Sequence, residues 1–236
     1  MGGQQAGGEG RIIPKDQFIQ IIAEFRQKAL SGLLEAKRQN IQERIVHYHQ
    51  NLELYKAAVM GFVQKQQTVM TDSVTAVLEP KGFSTLDLNQ SMARYMGDPD
   101  VQPSLIALQT LSGDFCEGQP IPESLNRDTF LAAVRLQTSE LRKYPITNML
   151  DSMLAQTAAA DEVYQRMGYD EITMAAVAIQ FENLEDPELT HAREEFNEAA
   201  KMEEMMRRPP PGAQPGAQHG AGQHQHGPNC SHGHQH

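Results

Sequence analysis

The sequence predicts an all-α protein. A long heptad-bearing N-terminal helix, bent or stuttering near Gly32, leads into a compact bundle of short helices, and both termini read as disordered. Three observations carry this prediction. Apolar residues recur at alternating steps of four and three as Ile41, Ile45, Tyr48, Leu52, Tyr55, Val59 and Phe62, resuming at Val69 after a polar Gln66. Such a seam, sustained over about four heptads, marks a helix that packs against another helix. Beyond Gly82, apolar-periodic stretches alternate with helix stops and starts. Alternating β-branched runs flanked by hairpin turns, the mark of strands, are absent.

Taken in order, residues 1–13 are a Gly-rich leader without core-forming composition. Pro14, Lys15 and Asp16 read as a helix start, with Asp16 placed to cap free backbone N–H groups. The first helical stretch has its own seam, Phe18, Ile22, Phe25 and Ala29, out of phase with the one from Ile41 by about two residues. The mismatch falls around Gly32, where glycine weakens a helix by roughly 1 kcal/mol relative to alanine. Either the helix continues with a stutter or the chain bends there. An unbroken helix over 16–79 would be on the order of 95 Å long, against a radius of gyration of about 17 Å for a compact domain. A break is therefore expected at Gly32 or at 71–73, where Thr71 and Asp72 can cap a short helix over 73–79; otherwise the helix projects and needs a partner. Pro80, Lys81 and Gly82 end the segment, giving a long helical or coiled-coil unit over 14–80.

The second unit spans 84–206. Ser84 with Asp87 resembles a capping box, and Gly97, Asp98 and Pro99 stop the helix it opens. A short apolar helix over 103–111 precedes an irregular segment at 113–122. Asn126 or Asp128 opens a helix to Lys143, Pro145 interrupts, and Thr147 caps the next helix to about Met167. Gly168 turns the chain into 171–184, and Asp186, Pro187 and Glu188 open the last helix, which ends before Pro209. Residues 172–181 are apolar nearly all round, which predicts the buried centre of the bundle, wrapped by 127–143 and 147–167. The tail over 209–236 is rich in Pro, Gly, Gln and His and cannot form a core.

Composition narrows function. A net charge of −10 without a basic stripe argues against nucleic acid. No run approaches the roughly 18 apolar residues of a membrane span, no secretory leader is visible, and the myristoylation pattern after Gly2 fails at Ala6. Two cysteines, Cys116 and Cys230, in 236 residues suit a reducing, cytoplasmic compartment. No P-loop, dinucleotide fingerprint, nucleophile elbow or calcium loop occurs. The predicted function is a non-enzymatic interaction or scaffold subunit without a cofactor. It docks protein partners, by self-association or hetero-assembly, through Ile41, Ile45, Tyr48, Leu52, Tyr55, Val59 and Phe62.

The alternative is a metal carrier or chaperone. His219, His224, His226, Cys230, His232, His234 and His236 put six of the nine histidines and one thiol into the last 18 residues, and imidazole and thiolate suit Zn, Ni or Cu. Fixed spacing and a CxxC are missing. Glu188 and His191 have the Glu-x-x-His spacing of di-iron bundles, but only once and in a charged first turn. His47 and His49 flank Tyr48 and point to different helix faces. Cys116 lies between Asp114 and Glu117, which disfavour its thiolate. Met202, Met205 and Met206 sit beside Glu203 and Glu204, either as adaptable contacts for a partner or packed back on the bundle.

Overall fold

The computed structural model describes residues 10–111, 116, 118–182 and 184–200. Among them the structure is all-α, with no strand. The helices are α1 (Lys15–His47), α2 (Leu52–Leu78), α3 (Thr85–Tyr95), α4 (Gln102–Gln109), α5 (Arg127–Leu141), α6 (Met149–Met167), α7 (Glu171–Glu182) and α8 (Pro187–Ala199), with a 3-10 turn at Glu79–Lys81 after α2.

The long segment breaks, but at neither of the two expected places. Helix α1 runs through Gly32 and α2 runs through 71–73; the break falls instead at 48–51, and α2 folds back along α1. Gly32 is a point of close approach: a Cβ there would lie 2.7 Å from Val69 Cγ1. Thr71 opens no helix because its hydroxyl donates to the Gln67 carbonyl at 3.0 Å, with Thr68 and Thr75 making the same backward bond. Asp16 lies in the first turn of α1, with Pro14 at the cap position.

Two apolar cores follow. The first joins Phe18, Ile22 and Phe25 of α1 with Val77 and Leu78 of α2, Leu88 of α3 and Val101 before α4. Residues 84–111 thus pack on the N-terminal half of α1. Ile13, in the stretch expected to be an unstructured leader, is fully buried here. Its N–H donates to Ser91 Oγ at 2.8 Å and its carbonyl accepts from the Tyr95 hydroxyl at 2.9 Å.

The second core is built by α5, α6, α7 and α8 around Phe130, Val134, Val163, Val177 and Leu189. Its most enclosed helix is α5, which packs against both α6 and α8, so α7 is not the centre that its composition suggests. Helix α7 buries Ile172, Met174 and Val177 and leaves Ile179 exposed. Three of its twelve residues are alanines, which are apolar in sequence but bring little area to cover.

Local chemistry fixes the ends. Ser84 and Asp87 form the reciprocal capping box. Asn126, Asn148 and Asp186 accept backbone N–H bonds at the starts of α5, α6 and α8. Asn148 takes the cap expected of Thr147, whose hydroxyl and N–H donate to Asp151. Gly82 and Gly168 end their helices at φ of 70° and 79°, where glycine carries no Cβ penalty.

Two carboxyls make the fold acid-sensitive. The N–H groups of Ser84 and Arg11 hold Asp87 down to about 2. The Arg127 guanidinium, with the N–H groups of Leu189 and Glu188, holds Asp186 down to about 2 as well. Both are depressed on folding, so their stabilisation is present above about pH 4, the ordinary carboxyl range. It is lost as the pH falls towards 2. The thermal midpoint is expected to drop across that interval, and Asp186→Asn should flatten the drop. An unchanged slope in that variant would argue against the assignment.

Candidate functional site

The site is the tip of the α1–α2 hairpin and the helices it leans on. Tyr48 leaves helical geometry at φ −59°, ψ 127°, and His49 takes the left-handed conformation at φ 61°, one that histidine adopts more readily than most side chains. The N–H groups of Gln50 and Asn51 both donate to the His47 carbonyl at 3.0 Å. Asn51 then caps α2 by accepting from the Leu54 N–H at 3.1 Å.

A buried ionic network holds the hairpin against the second core. Arg44 is 1% exposed. Its Nε donates to Asp161 at 2.9 and 3.0 Å and its Nη2 to the same carboxylate at 2.9 Å. Nη2 also reaches Glu171, and Nη1 donates to Asn40 Oδ1 at 2.9 Å. Asn40 Nδ2 donates to the Ala58 carbonyl at 2.7 Å. The Tyr55 hydroxyl donates to Asp161 at 2.8 Å, and Lys37 Nζ lies 2.8 Å from Glu171. Residues of α1, α2, α6 and α7 therefore meet around one guanidinium. Among the described residues the network pairs two cations, Arg44 and Lys37, with two carboxylates, Asp161 and Glu171.

Electrostatics follow from burial and partners. Burial alone would lower the Arg44 pKa, but Glu171 and Asp161 outweigh it and drive it above its ordinary value. Burial pushes the Asp161 carboxyl up against the pull of Arg44 and Tyr55. Burial works the same way on Glu171, yet Arg44 and Lys37 prevail and hold it down. Tyr48 and Tyr55 are both pushed up, first by burial and then by Glu162 and Asp161 respectively. These groups tie the helices together.

Beside the network lies a groove of about 630 Å³, walled by Tyr48, Leu52 and Tyr55 of the hairpin, by Tyr144 and Pro145, and by Leu154 of α6. His49, Lys56 and Asp151 stand at its edge. Glu162 anchors one side: it accepts from the Tyr48 hydroxyl at 3.0 Å, lies 3.3 Å from His49 Nε2 and pairs with Arg166. Leu52, in the wall, is 65% exposed. Val46, Leu54, Met149 and Leu150, each one or two residues along the chain from a lining residue, are exposed as well, Met149 at 70%.

The seven seam residues divide accordingly. Tyr48, Tyr55 and Val59 are buried against Ala158, with Ile45 half-buried beside them. Ile41 is buried with Cys116 and Ile172. Phe62 is half-buried, its ring 4.5 Å beneath Lys37 Nζ. Leu52 alone of the seven faces outward. The other exposed apolar residues nearby in the chain, Val46, Leu54, Met149 and Leu150, stand outside the seam. Asn51 with Glu53 in the following turn was the signal that could have located the reversal.

The remaining candidates separate. His219, His224, His226, Cys230, His232, His234 and His236 lie outside the described residues, as do Met202, Met205 and Met206. Among the described residues no group of three or more His, Cys, Asp or Glu is placed to hold a metal. Glu188 is bound by Arg127 and Arg135 at 2.9 and 2.7 Å, and His191 is exposed. Burial first, then the Glu171 carboxylate, pushes the Cys116 thiol up to about 11. No described helix is long and apolar enough to cross a membrane. Comparison with protein-family models, curated proteins and solved structures finds no match to this chain.

Proposed function

We propose that this protein is a non-enzymatic interaction subunit, working in the cytoplasm, that docks an apolar helical segment of another protein on the tip of its α1–α2 hairpin. The observation that carries this reading is the groove's apolar wall with the outward Leu52 in it, next in the chain to further exposed apolar residues, Val46, Leu54, Met149 and Leu150. Scattered exposed apolar residues are ordinary, whereas a contiguous group beside a concave apolar wall is the form of a helix-in-groove interface. Covering a leucine or methionine contributes about 1.5–3 kcal/mol, so a few such anchors suffice for a specific contact. The charge of −10 favours a protein partner over nucleic acid.

Leu52→Asp tests the reading, because the side chain is exposed and its replacement leaves the cores intact. Affinity purification from native cells, with wild-type and variant chains compared quantitatively, should show defined partners retained by the first. The variant should hold them at least about tenfold less, the effect of roughly 1.4 kcal/mol, with an unchanged melting midpoint. Identical partners in both would overturn the proposal. Loss of a dimer in the variant would move it to self-association.

A further inference from the structure

We propose that the cleft between α7 and α8 binds a fatty carboxylate, an apolar acyl chain ending in a single negative charge. The cleft shares no lining residue with the hairpin-tip groove, so the inference does not rest on the docking reading. Its volume is about 390 Å³, within the roughly 300–1,000 Å³ of small-ligand clefts. Helix α5 supplies the floor through Phe130 and Val134, α7 one wall through Met174 and Ala178, and α8 the other through Phe196. The space follows from the sequence of α7, which lines the cleft with the single methyl groups of Ala175 and Ala178. Along α7 the lining runs from Glu171 to Ala178, about 10 Å of helix, which suits one medium-length acyl chain laid lengthwise.

The charge at the cleft selects the head group. Arg193 of α8 is half-buried, and its Nη2 donates across the cleft to the Ala178 carbonyl at 3.1 Å. Among the described residues Arg193 has no carboxylate partner. Glu195, close to it in the chain, pairs with Arg142 at 3.5 Å. The carboxylate in the lining, Glu171, is already held by Arg44 and Lys37, and Gln137 and Asn197 are neutral. The unpaired charge at the cleft is therefore cationic and stands over an apolar floor. A guanidinium presents a planar fork of N–H donors that matches a carboxylate, and the Ala178 carbonyl engages only Nη2. Each methylene taken out of water favours binding, and Arg193 sets the end at which the carboxylate lies.

The test titrates the full chain with decanoate, below the concentration at which it forms micelles, and reads uptake by calorimetry, with decanol as the uncharged control. Decanoate should saturate one site per chain and bind at least about tenfold tighter than decanol, the scale of a charge-assisted hydrogen bond. Arg193→Gln should erase that preference, weakening decanoate and leaving decanol unchanged. Ala178→Leu should fill the cleft and weaken both ligands, and melting midpoints report that each variant is folded. Bound decanoate should slow amide exchange across 130–137 and 171–178 and leave 48–56 unchanged. No saturable uptake, equal affinity for the two ligands, an unaltered preference in Arg193→Gln, or protection at 48–56 in place of the cleft overturns the proposal. Loss of partners by Leu52→Asp is read separately, so the docking reading stands or falls on its own.

Discussion

Replacing Arg44 with methionine is expected to lower stability by about 3–5 kcal/mol, the scale for removing one partner of a buried ion pair. That is a large share of the roughly 5–15 kcal/mol that holds a domain folded. The loss of attraction is the smaller part of the cause. Asp161 loses its forked cation and keeps only the Tyr55 hydroxyl, and the Asn40 amide oxygen loses its donor. Glu171 keeps Lys37 at 2.8 Å, so it is less exposed to the change than Asp161. A double variant, Arg44→Met with Asp161→Leu, should therefore recover a substantial part of the loss, because the uncompensated carboxylate goes with the cation. Urea unfolding midpoints read both effects. A double variant no more stable than Arg44→Met would contradict the network as the tie between the hairpin and the second core.

Gly32→Ala is expected to destabilise the fold although alanine is the better helix former. The propensity gain is about 1 kcal/mol. Against it stands a new Cβ 2.7 Å from Val69 Cγ1, on a side chain whose branching leaves it little room to turn aside. Overpacking of this kind costs about 1–3 kcal/mol, so the net is a loss of up to about 2 kcal/mol. Val69→Ala opens the same space from the other helix. The pair should be coupled, with the double variant more stable than the sum of the singles by about 1 kcal/mol or more in an unfolding cycle. Strict additivity would mean that the two helices do not meet at Gly32.

The all-α class and most helix starts were legible because their signals are local: Ser84 with Asp87, Asn126, and Asp186 before Pro187 each satisfy backbone groups within one turn. The hairpin was not. Its turn needs only four residues, and the apolar steps of 41–59 carry across it without a missed beat, since Tyr48 and Tyr55 pack on the same partner helix from opposite sides of the reversal. Periodicity records which residues are buried, but not whether the chain turns between them. Gly32 misled for a related reason: a glycine that admits a close neighbour reads in sequence like one that admits a bend. The ionic network was invisible because Arg44 and Asp161 lie 117 residues apart, and each looks like an ordinary surface charge on its own helix. The groove was partly legible, through Leu52, but Tyr144, Pro145 and Leu154 join it only after folding.

The hairpin reversal underlies the proposed docking surface, because it turns most of the seam inward and leaves Leu52 at a tip. Paired spin labels at Lys28 and Ala76 test it most directly, since both are exposed and line one shallow depression between α1 and α2. Packed helices lie roughly 8–10 Å apart, so label separations of about 10–25 Å are expected. A continuous helix would separate the same positions by about 70 Å, and a distance in that range would contradict the account.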